Sequence, residues 1–352
     1  MAAQIRDEAR NLRVLFVTNL RAEDLADLGP DGVLNNAQYY TQAQADQMIR
    51  GLQELGVTVN AYFNERNFIA AAVGEEWPRD GKQPIVFTTA EGGTGSGRRA
   101  LIPALCNLLG LPVVNSGAHA STIARHKFHA NAVLRQAGLR VPDTWQFREG
   151  MWIGPHPPLG ARVIVKPTYE TMCIGIGEDS VRFVEEDFDA FVADSHRSFG
   201  QSVLVQEFIS GEEVGVPVLR IGATHALPAL AFRRSGGEPF WDRPRTFEDE
   251  NLRADLSITP FSGAGVAPGL LEHAATLAFD ALEMEGAGRI DFRVDADGRP
   301  WIFDTSECPP PLESGSFARS LEQLGFSYQE MLAVWLGVSL LDAGRLRSPT
   351  RS

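Results

Sequence analysis

Apolar runs and apolar stripes alternate along this chain. LRVLFVTN (12–19) is apolar almost throughout, which predicts a buried strand of a parallel sheet. A polar, Gly-containing loop follows over 20–36. Within 38–55, Tyr40, Ile49, Leu52 and Leu55 recur at helical spacing, with Gly56 as the stop. VTVNAYF (57–63) and PIVFTT (84–89) predict two further strands. ALIPALCNLLG predicts a helix ended by Gly110, and LPVVNSG a short strand. Strand and helix in alternation predict an α/β sheet domain over the first 120 residues or so.

The pattern continues with a helix over Ser121–Gly138, then strands in LRVPDTWQF and ARVIVKP. LVQEF and VGVPVL read as paired strands around ISGEE. A polar region rich in Arg, Gly and Pro runs from Arg233 to about Arg253. Helices are expected over 270–284 and 327–341, and the tail GRLRSPTRS is expected to fray.

Between those two helices lies GRIDFRVDADGRPWIFDTSECPPP (288–311), two short strands around the turn DADG. Alternation puts Arg289 and Asp291 on one face, and likewise Ile302, Asp304 and Ser306. Paired strands would bring two carboxylates, a hydroxyl and a guanidinium together. Carboxylates that close repel unless a cation lies between them. Oxygen-only ligands suit a hard ion such as Mg²⁺, which keeps phosphate as a co-ligand. The same residues also fit a surface hairpin with solvated charges, and this segment alone does not choose.

The chain has 352 residues, enough for two or three domains, with 44% hydrophobic and 22% charged residues, as in globular proteins. A net charge of −13 argues against bulk nucleic-acid binding. MAAQIRDEARN lacks the apolar core of a signal peptide, and MLAVWLGVSLL is too short to span a bilayer, so no membrane partner is expected. Cys106, Cys173 and Cys308 show no metal-type spacing, and a reducing cytoplasm fits them.

Three segments carry candidate chemistry. EGGTGSGRR (91–99) follows a strand and opens a helix, a geometry suited to anions. It matches neither the GxGxxG fingerprint nor the Walker A pattern, where Arg98 and Arg99 replace Lys and Ser/Thr. It reads as a substrate loop whose arginines meet a carboxylate or phosphate, against the alternative of a Gly-rich packing turn. Lys166 ends an apolar strand, where its ammonium can reach phosphate oxygens. VQEFISGEEVGV (205–216) supplies a Gln and several carboxylates.

Taken in order, Lys127, Lys166 in IVKP, QEFISGEE, GRIDF and DTSECP resemble the ATP-grasp superfamily, most closely the D-alanine–D-alanine ligases. The resemblance runs from about Gly93 to Leu341 and includes GLPVVNSGAHAS, AGLRVP and LGFSYQEML. It implies an ATP-grasp α/β fold: an N-terminal Rossmann-like domain (1–120), a central subdomain (121–206), a C-terminal subdomain (207–342) and a tail (343–352). It implies that Lys127 and Lys166 hold the phosphates of ATP, that Glu207 lies along the adenine, and that Glu213 binds the ribose. Gln206 stands where the family has the Glu that meets the adenine amino group. Asp291 and Asp304 would bridge Mg²⁺ (or Mn²⁺), with Ser306 as third ligand, and Arg289 would sit by the carboxylate being activated.

This sequence also departs from that pattern. Asp304-Thr305-Ser306 stands for Glu-x-Asn, and Pro310, with no N–H, replaces a Gly. GGTGSGRR replaces the segment HGxxGEDG, so acids become Arg98 and Arg99. Glu170-Thr171-Met172-Cys173 stands for Glu-Gly-Ser-Ser, and Gly315-Ser316 where a Ser would meet the second substrate's carboxylate. Thr246-Phe247 replaces Lys-Tyr, leaving Arg243 or Arg245 to contact phosphate. The expectation is an ATP-dependent carboxylate–amine ligase acting through an acyl phosphate on an amino acid or small peptide other than D-alanine. An added anionic group would meet Arg98 and Arg99. An apolar side chain would meet Met172, Phe240, Trp241 and Phe247. Glu170 and His119 are the candidate bases, and loops 168–175 and 234–250 would close over the site. Such enzymes serve natural-product or modified-peptide pathways, and the resemblance allows a homodimer through the N-terminal domain. The rival readings are an ATP-binding protein with little turnover, the same chemistry with a non-amine acceptor, and, more distantly, a dehydrogenase.

Overall fold

The computed structural model describes residues 2–21, 38–74, 76, 80–93, 95–251, 256–263, 265–342 and 344. The loop expected at 20–36 and the tail at 343–352 lie outside them, apart from Leu20, Arg21 and Gly344. The described residues form three sheets.

The first sheet follows helix α1 (Ala2–Glu8) and has the order β2-β1-β3, all parallel. Its strands are β1 (Leu12–Val17), β2 (Thr58–Tyr62) and β3 (Gln83–Thr88). β1 is buried at every position, as its near-continuous apolar run requires, and its one charged residue, Arg13, pairs with Asp80 at 2.7 Å. Helix α2 (Gln42–Glu54) starts at a capping box, in which the Gln44 N–H donates to Thr41 Oγ1 while the Thr41 N–H donates to Gln44 Oε1. α3 spans Glu65–Gly74, and α4 (Leu101–Leu109) ends at Gly110, whose φ of 66° is the left-handed cap predicted for it. LPVVNSG gives only a single parallel bridge between Val86 and Val113 instead of a strand. Asn115, at φ 71°, turns the chain out of the sheet two residues later.

The helix expected over Ser121–Gly138 is two helices, α5 (Ala118–Arg125) and α6 (Lys127–Gln136). The break is at His126, whose Nδ1 accepts from the His129 N–H, while the Lys127 N–H donates to Thr168 O at 3.1 Å. Lys127 thus starts α6 and points at the loop after the strand ending in Pro167.

The second sheet has the order β5-β4-β8-β6-β7. It is built from β4 (Thr144–Arg148), β5 (Met151–Ile153), β6 (Arg162–Pro167), β7 (Val181–Phe183) and β8 (Val203–Glu207), with α7 (Phe188–Phe199) packed on it. The third has the order β12-β11-β9-β13-β14, with β10 on β9. Its strands are β9 (Glu212–Ile221), β10 (Ala223–Ala226), β11 (Leu230–Arg234), β12 (Leu256–Pro260), β13 (Ala287–Val294) and β14 (Pro300–Ser306). Helices α8 (Phe247–Asn251) and α9 (Leu270–Ala281) belong to this half. β8 and β9, expected to pair, lie in different sheets: β8 sits between β4 and β6, and β9 between β11 and β13. ISGEE is the crossing between the sheets, and Gly211 within it packs so closely that a Cβ would lie 2.4 Å from Val294 O.

β13 and β14 form the predicted hairpin, with Arg289 opposite Ser306 and Asp291 opposite Asp304. A bulge then sets Phe292 opposite Ile302, leaving Phe303 as the extra residue. Ile302 and Asp304, expected on one face, are therefore on opposite faces. Ile302 joins Val216, Ile290, Phe292 and Phe279 in the apolar layer under α9, and Asp304 faces away from it.

The chain closes with α10 (Ser316–Glu322) and α11 (Tyr328–Asp342). α11 returns to the first sheet, where Trp335 lies 6.1 Å from Phe87 and 4.9 Å from Phe317, ring to ring. Cys106, Cys173 and Cys308 are free thiols. Among the described residues no helix is long and apolar enough to cross a membrane.

Candidate active site

A cavity of about 700 Å³ lies over the face of the third sheet that turns away from α9. β6 and β8 wall it on one side, and residues of the first sheet's loops close its far end.

Two lysines meet there. Lys127 is buried, donates to Glu170 O at 2.8 Å and lies 3.2 Å from Asp304. Lys166 is buried and donates to Gln206 Oε1 at 2.9 Å, with the Phe303 ring 5.5 Å away. Burial pushes its ammonium down to about 8; Asp304 opposes that fall and Lys127 adds to it. Burial alone would raise the Asp304 carboxyl, but Lys127 and Lys166 outweigh it and hold the group below the usual carboxylate range. This corner is built for anions that bring negative charge with them.

The hairpin face holds the remaining charge. Arg289 grips Asp291 with two parallel bonds, at 2.6 and 2.8 Å, and donates a third to Ser316 Oγ at 3.0 Å. Burial acts to lower the Arg289 pKa, yet Asp291 leaves it raised, so the guanidinium stays charged. Ser306 and Gly315 line the same cavity. Asp291 and Asp304 are cross-strand neighbours on one face, which suits them to share a hard cation with phosphate and water as its other ligands. The described residues hold no group of three or more His, Cys, Asp or Glu side chains that could bind a metal alone.

Glu213 is clamped. Arg293 Nη2 donates to its Oε1 at 2.8 Å, and Arg245 Nε lies 3.6 Å from its Oε2. Gln206 and Glu207 line the cavity beside Ile164, Phe208 and Ile209, an apolar slot fit for a planar ring. The Gln206 carbonyl already accepts from Lys166, and its Nε2 has no partner among the described residues.

Several expectations need correction. Arg98 does not line the cavity; it donates to Glu170 at 2.7 and 3.2 Å and to Gln38 at 2.9 Å. Arg99 lines it but is already neutralised, donating to Glu307 at 3.1 Å, with Glu91 at 3.9 Å. Both arginines are thus ion-paired within the protein, Arg98 outside the cavity and Arg99 on its wall. Glu170 lines the cavity, but its carboxylate is tied to Arg98; burial raises its pKa, Arg98 outweighs this and holds it below the usual range, which makes it a weak proton acceptor. His119 is exposed and off the cavity. Of the apolar set, Met172 lines the cavity, whereas Phe240, Trp241 and Phe247 do not. Of the two arginines left open for phosphate, Arg245 lines it, while Arg243 is held by Asp249 at 2.5 Å. The edges of the two loops touch: the Phe247 N–H donates to the O of Ile176, one residue past the first loop, and Nδ2 of Asn251, one residue past the second, donates to Met172 O, each at 2.9 Å.

The sequence reading missed Glu91, Arg125 and Arg293. Glu91 and Arg125 form a buried pair on the far wall, and Arg125 was hidden inside a helix thought continuous. Arg293 had a signal, since strand alternation places it on the face of Arg289 and Asp291.

A family model described as D-ala D-ala ligase C-terminus matches residues 133–336. The chain is 31% identical over 249 residues to the D-alanine–D-alanine ligase of Bordetella petrii, covering 70% of this chain and 72% of that protein. It is 30% identical over 272 residues to that of Frankia casuarinae, covering 75% and 68%. Among solved structures, it is similar to the D-alanine–D-alanine ligase of Bacillus anthracis complexed with ATP, with a TM-score of 0.70 at 15% identity over 95% of this chain and 99% of that one. The VanG D-Ala:D-Ser ligase of Enterococcus faecalis gives 0.65 at 17% identity over 94% and 99%.

Proposed function

The chain belongs to the D-alanine–D-alanine ligase family of ATP-grasp enzymes, and from that premise we propose that it joins a carboxylate to an amine through an acyl phosphate, using ATP and Mg²⁺. The observation that carries this is the convergence of Lys127, Lys166, Arg289, Asp291 and Asp304 on one cavity.

Each residue has a task in that reaction. Lys127 and Lys166 neutralise the triphosphate, and Arg245 adds a third cation. Asp291 and Asp304, with Ser306, would hold Mg²⁺, which would supply Lewis-acid neutralisation of phosphate charge. Arg289, kept charged and aimed by Ser316, faces the substrate carboxylate and stabilises the oxyanion as an amine attacks the acyl carbon. Met172 and Ile176 lie where loop 168–177 meets α8, a contact that excludes water from the acyl phosphate.

The acceptor and donor are an amino acid or small peptide other than D-alanine. Supporting this are Met172 and Cys173, which line the cavity where the family pattern has two serines. A second reading, D-alanine itself, is favoured by the names of the relatives.

Purified protein with Mg²⁺-ATP and pools of L- and D-amino acids and dipeptides, assayed by phosphate release and mass spectrometry, tests both, with Asp304→Ala as control. A condensed product one water lighter than its parts establishes the ligation and names the substrates. D-alanyl-D-alanine as the best product decides for the second reading. Tight ATP binding with no turnover in any pool would instead indicate a nucleotide-binding protein, and phosphate release without condensation a non-amine acceptor.

A further inference from the structure

Arg293 is the most heavily engaged cation in the protein's described interior, and the reaction as outlined gives it nothing to do. It is 4% exposed and stacks 4.7 Å from the Phe208 ring. Nη1 donates to Phe240 O at 2.7 Å, Trp241 O at 3.1 Å and Gly211 O at 3.2 Å. Nη2 donates to Glu213 Oε1 at 2.8 Å and Arg243 O at 2.9 Å. Five acceptors from two stretches of chain, 211–213 and 240–243, converge on one planar fork.

Those segments have different jobs. Gly211 belongs to the crossing from the second sheet to the third. Glu213 is the carboxylate on the cavity wall. Phe240, Trp241 and Arg243 belong to the stretch that leads into Arg245, and from Arg243 to Arg245 there is only Pro244, whose fixed φ leaves little slack. Arg245 enters the cavity over Phe232, at 4.5 Å, and reaches Glu213 and Glu250 at 3.6 and 3.5 Å. Glu213 thus lies between two guanidiniums, one that fixes it from behind and one that shares the cavity with it.

We propose that Arg293 is a positioning residue of the nucleotide site: its fork locks the 240–243 segment to the third sheet, and by doing so delivers Arg245 and orients Glu213 into the cavity. This rests on the ligase reading for its kinetic consequence, but the lock itself does not. Lysine cannot replace it, because a point ammonium has three donors and no fork to span five acceptors. A residue that only neutralised Glu213 would be served by lysine.

Arg293→Lys separates the two roles. Trypsin does not cut before proline, so in this stretch Arg245–Thr246 is the reporter bond, and Thr246 is buried in the wild type. Without nucleotide, Arg293→Lys should be cut there about tenfold faster than wild type, and ATP should slow the cut. KM for ATP should rise about tenfold while kcat changes less than about threefold. Arg293→Gln, which keeps two donors, serves if the lysine variant does not fold. Equal cleavage rates at Arg245–Thr246, or full rescue of KM by lysine, overturn the proposal. A wild type that never turns over ATP would refute the ligase reading and leave the cleavage comparison to decide the lock.

Discussion

Arg98→Met removes a guanidinium that donates to both oxygens of Glu170, at 3.2 and 2.7 Å, across 72 residues of chain. The pair joins the loop after β3 to the loop after β6, and its side chains are only 7% and 13% exposed. Deleting one partner of a fully buried pair costs about 3–5 kcal/mol, because the other charge stays desolvated. Here Gln201 Nε2 still donates to Glu170 at 2.7 Å, and the carboxyl can take up a proton, so about 2–3 kcal/mol is expected. Glu170→Gln in the same chain removes the stranded charge, and the double variant should regain about 1 kcal/mol relative to Arg98→Met. Urea unfolding at pH 7 reads each change as a shift of midpoint at constant slope. The pH dependence checks the sign. Burial raises the Glu170 pKa, Arg98 outweighs it, and the folded value ends below the ordinary 4.5. A carboxylate depressed in the folded state contributes fully above its unfolded pKa and loses that contribution as pH falls through the folded one. The acid loss below about pH 4.5 should therefore be steeper in wild type than in Arg98→Met. Single and double variants that add within about 0.5 kcal/mol would refute the coupling and, with it, the claim that Glu170 ties the two loops together through Arg98.

Three further outcomes follow from the same geometry. Lys166 binds phosphate as the ammonium, and with its pKa pushed down to about 8 it loses that proton as pH rises, so KM for ATP should climb between pH 7 and 9 while Lys166→Met flattens the profile. Arg245→Ala should raise KM for ATP about tenfold or more in initial-rate assays, whereas Arg243→Ala should act mainly on the midpoint of thermal unfolding. Gly298, in the hairpin turn at φ 72°, would place a Cβ 1.9 Å from Gly265 O, so Gly298→Ala should cost about 2–4 kcal/mol by denaturant unfolding.

The elements that the sequence made legible are those with local causes. β1 is apolar at every position but Arg13 because both its faces are covered, and the hairpin announces itself through DADG, where Asp295 Oδ1 accepts from the Asp297 and Arg299 N–H groups and Gly298 takes the left-handed turn. Lys127, Lys166, Asp291 and Asp304 were legible only together, through their order along the chain and the family resemblance it carries, since each alone also fits a solvated strand or helix end. Ile302 misled because alternation assumes an unbroken pleat, and one bulged residue reverses every face beyond it. Arg98 and Arg99 misled more deeply. A pair of arginines in a Gly-rich loop advertises positive charge, but the acids that cancel it, Glu170 and Glu307, are 72 and 208 residues away. Charge at a site is a property of the sum, and the sum is set by tertiary contacts that no local pattern encodes. On the side opposite the far wall Lys127, Arg245, Arg289 and Arg293 meet acids, whereas Lys166 meets only the Gln206 amide and the Phe303 carbonyl among the described residues and is left for an anion from solution. The far wall, closed by Glu91 with Arg125 and Glu307 with Arg99, is complete without a ligand, and a substrate that fits there must match a neutral surface and not a cationic one.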